Sequence, residues 1–467
     1  MSESDPAAGP GRPRAAEASS APETLTANIA YLTGAQTFAN LCILLANWAV
    51  IRCYKAPAHD GVVLVVSTVG LFMVISDLGL ASKAGVRTIA RLRATEPRRL
   101  GEAVSGLVAV QLAFAAVLAV AVIALAQPLH GLLPRLDAAA LRLAATWIFA
   151  FAIARASLML LWGLERMRGA LLVNPVRELA RAVWVPACWA LGLDVYWIFV
   201  GWTGAHLLTC LTAGAAAQRL ARQVGLRIRP RVAGAAEAAR IAAGGLPYYV
   251  PFLGLFGLPL VLPIAVGLLD KTRGDVSTVQ VCMALALLPR LLAIQIGNAV
   301  FPRMSALQAA ERPDQALAAA LLVRSARLVC LISGCVFALY ALGGGWVLGR
   351  LYSPEYRAAA PALLAMTFAV GLDSFAIQLD QALMAAQYVR VVGWLEAARY
   401  VVLAAALCVL VPRYTVNGAA AALGISAAVT LAAKLLIVRR LLPRVGGWAL
   451  LAFLTLSAAV AAAYWAL

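Results

Sequence analysis

The chain has 467 residues, 63% of them hydrophobic and 13% charged, with a mean hydropathy of +0.86. That composition leaves too few polar side chains to coat a water-soluble domain and points to a polytopic membrane protein. The formal net charge of +18 sits largely in short linkers between apolar stretches. There it is explained by membrane topology and anionic lipid head groups, and no nucleic-acid partner is expected.

Residues 1–25, rich in Ala, Pro, Ser and Glu, have no apolar core and read as a disordered cytoplasmic tail. Thirteen apolar stretches follow, at 27–50, 61–81, 103–126, 140–162, 170–193, 195–217, 243–268, 276–298, 326–349, 360–385, 391–411, 416–438 and 447–466. Each is close to the ~20 residues that cross a bilayer core as a helix. The first is expected to act as its own insertion signal. An Arg-rich run after the sixth span separates two sets of six. The division predicted is a lobe over 26–218, a cytoplasmic linker over 219–242, a second six-helix lobe over 243–440, and one extra transmembrane helix over 441–467. The fold class is therefore all-α, with about 13 transmembrane helices. Transporters are often built from two such repeats with the substrate between them.

Orientation follows from the linkers. Of 39 basic residues, 27 fall in linkers of one parity or the adjoining span ends, including Lys83, Arg87, Arg91, Arg93, Arg98 and Arg99 after the second span. Nine fall on the opposite side. Basic linkers stay cytoplasmic, so the N-terminus is predicted inside and Leu467 outside. The segment from Phe301 to Ser325 has Ala, Leu, Gln and Arg at helical spacing, with a break at Arg312-Pro313-Asp314. It reads as an amphipathic helix on the cytoplasmic surface.

Soluble-type catalytic chemistry is not found. There is no GxSxG, HExxH, phosphate-binding loop or DxD, and the outer linkers are about twenty residues or fewer. The eight cysteines lie mostly within spans and lack ligand spacing, so they read as packing residues; no metal site and no cofactor are expected. A carrier, passive or coupled to H⁺ or Na⁺, fits better than an enzyme.

Ionisable residues inside spans are the functional evidence, because burying a charge in a bilayer needs a partner or a cavity. Asp77 ends the second span in Asp77-Leu78-Gly79-Leu80. Arg155 and Arg290 have no opposite charge within one helical turn. Glu178–Arg181 and Glu396–Arg399 are (i, i+3) pairs that can neutralise each other. Lys434 lies near the cytoplasmic end of the twelfth span, where it can snorkel. Asp373 and Asp380 share one face of the tenth span. Two roles are open for them: a structural partner such as Arg399, or ion coupling, with Asp380 the carrier of a proton, or with Gln381 offering oxygens to Na⁺. Gln36, Asn40 and Asn47 form a polar stripe on the first span. In the seventh, Pro247, Pro251, Pro259 and Pro263 fall within seventeen residues and predict a bent or jointed gating helix.

Several segments carry a resemblance. Tyr31 to Tyr54 with Asp77-Leu78-Gly79-Leu80, then Asn298-Ala299-Val300-Phe301-Pro302-Arg303-Met304-Ser305, Tyr352-Ser353-Pro354-Glu355-Tyr356-Arg357 and Val416-Asn417-Gly418-Ala419-Ala420 recur in order. Over about residues 27–440 the chain resembles the Wzx-type lipid-linked oligosaccharide flippases of the multidrug/oligosaccharidyl-lipid/polysaccharide (MOP) exporter superfamily. The thirteenth span departs from the usual twelve or fourteen. The resemblance implies two lobes around a cationic central cavity that opens alternately to each side, in a bacterial inner membrane. It implies an undecaprenyl-pyrophosphate-linked glycan as cargo, with a polysaccharide polymerase and a chain-length regulator as partners. Arg155, Arg290, Arg399 and Lys434 are then the candidate substrate-binding cations. Open alternatives are a drug or organic-cation antiporter, a peptidoglycan-precursor (lipid II) flippase and a membrane glycan polymerase.

Overall fold

The computed structural model describes residues 22–164, 173–229, 235–270, 275–309 and 315–441. The tail before Pro22 and the predicted thirteenth span lie outside the described residues. All the regular elements described are helices. In the first half these are α1 (Pro22–Ser76), a π-helical turn (Leu80–Ala84), α2 (Gly85–Thr95), α3 (Leu100–Leu132), α4 (Ala138–Ala144), α5 (Thr146–Gly163), α6 (Val173–Ala190) and α7 (Val195–Gln223). The second half holds α8 (Ala235–Leu269), α9 (Val276–Ala286), α10 (Leu288–Ala309), α11 (Gln315–Leu351), α12 (Ala360–Ala385) and α13 (Val389–Leu441).

Nine helices among the described residues are long and apolar enough to cross a bilayer, or ten if α9 and α10 form one span bent by 43°. The first four predicted spans, the sixth, the seventh and the ninth to twelfth fall on the nine, and the eighth is the bent pair α9–α10; the fifth falls on α6. The 55-residue α1 would be about 80 Å long if straight, but Lys55 has φ 67° and divides it into spans Gly34–Lys55 and Pro57–Ser76. Thr415, at φ 49°, divides the 53-residue α13 in the same way. There the chain doubles back: Gly418 lies against the carbonyl of Leu410, which a straight helix would place about 12 Å away. The short α6 carries Arg177, Glu178 and Arg181 and is too polar to join the nine. Local chemistry starts other helices. The Asp137 carboxylate accepts from the N–H of Ala139 at 2.7 Å to cap α4, and Asp194 accepts from Tyr196 at 3.0 Å to cap α7.

Two predicted features come out differently. The segment from Phe301 to Ser325 is not a separate surface helix. Residues 301–309 prolong α10 and 315–325 begin α11, so its helical spacing belongs to extensions of two spans. The proline-rich seventh span is not jointed either, because α8 runs as one 35-residue helix with Pro247, Pro251, Pro259 and Pro263 inside it. The sharp bend lies instead between α9 and α10, just before Pro289.

Packing is mainly within halves. In the first, α6 packs on α1 and α7 on α5; in the second, α12 packs on α10, α11 and α13. The halves meet where α1 touches α8 and α9. Large apolar side chains such as Val120, Leu211, Leu331 and Leu342 stay exposed around the outside, a surface that suits acyl chains and not water. At the end with few basic residues the halves are tied by hydrogen bonds. The Ser277 N–H, in the first turn of α9, donates to Asp60 at 2.7 Å. Arg135 stands 3.5 Å from the same carboxylate, and Arg52 donates to the Arg350 carbonyl at 2.9 Å.

Candidate functional site

A cavity of about 410 Å³ lies between the halves. Val86, Trp162 from the last turn of α5 and Met384 from the last turn of α12 line it, which sets it toward the end with the basic linkers. Aromatic and aliphatic side chains form much of its wall, among them Tyr248, Phe252, Phe256, Ile294 and Ile377. Arg155, Arg290, Arg399, Asp373, Asp380, Glu396 and Gln381 supply the polar part. The structure thus brings five of the sequence-predicted residues, Arg155, Arg290, Arg399, Asp373 and Asp380, to one cavity, together with Pro251 from α8. Lys434 does not line it. Among the described residues, no group of three or more His, Cys, Asp or Glu is arranged to hold a metal ion.

Arg155 and Arg290, isolated along the sequence, both have partners in space. Arg155 Nε donates to Asp77 Oδ2 at 2.9 Å. Its guanidinium stands over the rings of Phe252 (5.3 Å), Trp162 (5.7 Å) and Phe151 (5.9 Å), within cation–π range. Phe252 belongs to the opposite half, so Arg155 sits at the interface. Asp77 engages only Nε, which leaves the two terminal amino groups of a cavity-lining guanidinium available.

Arg290 is 2% exposed and engaged through Nε and Nη2, while its Nη1 has no hydrogen-bond partner. Its Nε stands 2.9 Å from Asp373 Oδ2, and Nη2 donates to the carbonyls of Leu255 (2.7 Å) and Gly254 (3.2 Å). Leu255 lies four residues before Pro259, so its carbonyl has lost the N–H a helix would provide. Arg290 supplies the missing donor. Tyr400 Oη also donates to α8, at Leu253 O (2.8 Å), a carbonyl that no proline has freed. The Arg290 bond compensates the vacancy left by Pro259. Close approach helps: Gly254 packs on the Glu396 carboxylate, where a Cβ would collide.

Behind the cavity wall lies a buried chain of charges. Asp373 bridges Arg290 and Arg399, and Arg399 Nη1 is 3.6 Å from Glu396. Lys434 Nζ donates to Glu396 Oε1 at 2.6 Å and to Asp380 Oδ2 at 2.8 Å. Lys434 does not snorkel to an interface: it is 0% exposed, drawn inward by two carboxylates. The three cations and three carboxylates of this chain balance, as do Arg155 and Asp77. Among the described residues the cavity is therefore zwitterionic, without the net cationic character that the family resemblance implies. Of the four proposed cations Arg155 is the least buried, its side chain 15% exposed; Arg290 Nη1 and Arg399 Nη2 also lack hydrogen-bond partners but are buried. Asp373 has the structural partner Arg399, as one reading of the sequence had it.

The other predicted features fall elsewhere. Glu178 is bound by Arg181 at 3.0 Å and by Arg177 at 2.7 Å within the first half. Gln36 donates to Asn40 at 3.2 Å along the polar stripe. Gly79 has φ 68° and no room for a side chain, since a Cβ would sit 2.5 Å from the Gly245 carbonyl and 2.7 Å from the Tyr249 nitrogen of α8. Tyr400 and Phe252 were missed. The spacing of Glu396, Arg399 and Tyr400 at i, i+3 and i+4 could have marked Tyr400 as part of the same face.

No family model matches the sequence, and no curated protein matches it. The fold does have relatives among solved structures. The chain is similar to a multidrug resistance MATE family transporter of the MOP superfamily in an inward-facing conformation, with TM-score 0.68, 15% identity, and 90% of this chain and 95% of that one covered. It is similar to the lipid II flippase MurJ in an inward closed conformation, with TM-score 0.71, 11% identity and 91% of each chain covered. A Vibrio cholerae MATE transporter, VcmN, aligns with TM-score 0.60 and 15% identity over 90% of this chain and 98% of that one. The fold is therefore that of the MOP superfamily transporters.

Proposed function

We propose that this protein is a flippase of the bacterial inner membrane. Its cargo is an undecaprenyl-pyrophosphate-linked oligosaccharide repeat unit, carried from the cytoplasmic to the outer face for polysaccharide assembly by alternating access. The observation that carries the reading is Arg155, a cavity-lining guanidinium between two lobes with its terminal amino groups unengaged by Asp77. A planar fork of this kind suits a diphosphate, which accepts two parallel charge-assisted bonds. The aromatic wall around it gives sugar or isoprenoid carbons a surface to pack on. On the topology expected from the basic linkers, the cavity lies toward the cytoplasm, where such a cargo is loaded.

The MATE neighbours favour a second reading, a drug or organic-cation antiporter. Against it, the cavity carboxylates Asp373, Asp380 and Glu396 are each paired with a buried cation, which an organic cation would have to displace.

The test is a flipping assay in proteoliposomes with labelled prenyl-pyrophosphate glycan on one leaflet, with lipid II and an organic cation as competing cargoes. Arg155→Ala removes charge-assisted bonds of about 1.5–3 kcal/mol each, so transport should fall ten- to a hundredfold with expression intact. Arg155→Lys should recover only part. Full activity of Arg155→Ala would remove the reading.

A further inference from the structure

Asp77 stands at the junction between α1 and the π-helical turn and has no exposed surface. Only one of its oxygens is bonded. Oδ2 takes Arg155 Nε at 2.9 Å, while Oδ1 has no hydrogen-bond partner. The backbone just beyond it is strained, because Leu78 has φ 51° and Gly79 φ 68°, and a leucine rarely adopts that region. The same turn is wedged against α8 of the opposite half. Gly79 touches Gly245 and Tyr249, and the Leu78 carbonyl lies against Gly245. One ion pair on the cavity wall is therefore set on a strained turn through which the two halves meet.

We propose that Asp77 is the resident counter-ion of Arg155, that the anionic group of the cargo displaces it, and that its displacement frees the 77–79 turn from α8. This rests on the reading of Arg155 as the anchor of an anionic cargo. A diphosphate carries more charge and more acceptor oxygens than one carboxylate, so it competes well for the guanidinium. Asp77 would then be a buried carboxylate without its cation, which is strongly disfavoured. With Oδ1 already unbonded, the carboxylate would have lost its one bonded partner. The relief is for the turn to move, and its strained backbone makes it the segment that yields most readily. Because the turn is a contact between halves, occupancy of Arg155 becomes linked to their relative position. Such linkage is what a ligand needs in order to shift a conformational equilibrium.

The test is calorimetric binding of inorganic pyrophosphate and of farnesyl pyrophosphate to the purified full-length protein at low salt, beside the flipping assay. Asp77→Asn removes the competitor, so both probes should bind about tenfold more tightly while transport falls. Arg155→Gln, alone or with Asp77→Asn, should bind neither. Unchanged or weaker binding by Asp77→Asn overturns the proposal and makes Asp77 a simple orienting group. Failure of the parent itself to bind either probe would overturn the anionic-anchor reading, a separate outcome. If Asp77→Asn does not fold, Leu78→Cys reports on the same movement. Maleimide labelling of that cysteine, read on its peptide by mass spectrometry, should speed up at least threefold when pyrophosphate is added to a protein that binds it. No change in rate would sink the proposal.

Discussion

At the scale of single residues, the buried charges divide into those that hold the structure and those that can act. Lys434 belongs to the first kind, since it neutralises Asp380 and Glu396 together with no exposure of its own. Lys434→Met would leave two carboxylates facing each other, and removing one partner of a buried pair costs about 3–5 kcal/mol. A marked fall in the thermal midpoint in detergent is expected. Asp380 is different because it lines the cavity and shares its lysine with Glu396. Asp380→Asn leaves Lys434 one carboxylate, so a smaller loss of stability is expected. Asp380 is also the residue we propose to carry a proton or Na⁺. Flipping by Asp380→Asn should lose its response to an imposed ion gradient and retain slow downhill exchange. A variant that still responds like the parent would make the aspartate purely structural.

At the scale of elements, α8 shows how proline is tolerated inside a spanning helix. A bilayer offers no water to an orphaned carbonyl, so a side chain from a neighbour has to supply the donor. Arg290 from α10 serves Leu255 O, the carbonyl freed by Pro259. The bend between α9 and α10 obeys the same rule, since Leu285, four residues before Pro289, has its carbonyl bonded by Tyr340 Oη at 3.3 Å. A double-mutant cycle tests this account. Pro259→Ala returns an N–H to the helix, so Arg290→Met should cost less in that background than in the parent. The coupling expected is about 1 kcal/mol, the net worth of one hydrogen bond, read from unfolding in detergent. Strict additivity would show that Arg290 does not serve the vacancy left by Pro259.

At the scale of the whole molecule, the two ends are unlike. The Asp60–Ser277 and Arg52–Arg350 bonds tie the halves at one end, and the cavity lies toward the other. We assign the cavity end to the cytoplasm from the 27-to-9 distribution of basic residues. Reporter fusions after Arg99 and Arg231 should register as cytoplasmic, and fusions after Arg135 and Arg273 as external. The reverse pattern would place the cavity on the outer side, and loading from the cytoplasm would fail with it.

The amino-acid sequence alone marked most of the stretches long and apolar enough to cross a membrane, because length and apolarity are local properties matched to bilayer thickness. It also marked the turn at Asp77-Leu78-Gly79 and the charged residues worth following. Ion-pair partners were a different matter. Arg155 meets Asp77 across 78 positions and Arg399 meets Asp373 across 26. Such pairs depend on how each helix is rotated about its axis when it packs, and no local pattern records that rotation. For the same reason the prolines of α8 suggested a joint: Arg290, the donor that serves the carbonyl freed by Pro259, lies 35 positions from it. The charges were legible in the sequence, but their pairing was decided only by tertiary packing, which leaves Arg155 the least buried of the proposed cations, with both terminal amino groups clear of Asp77.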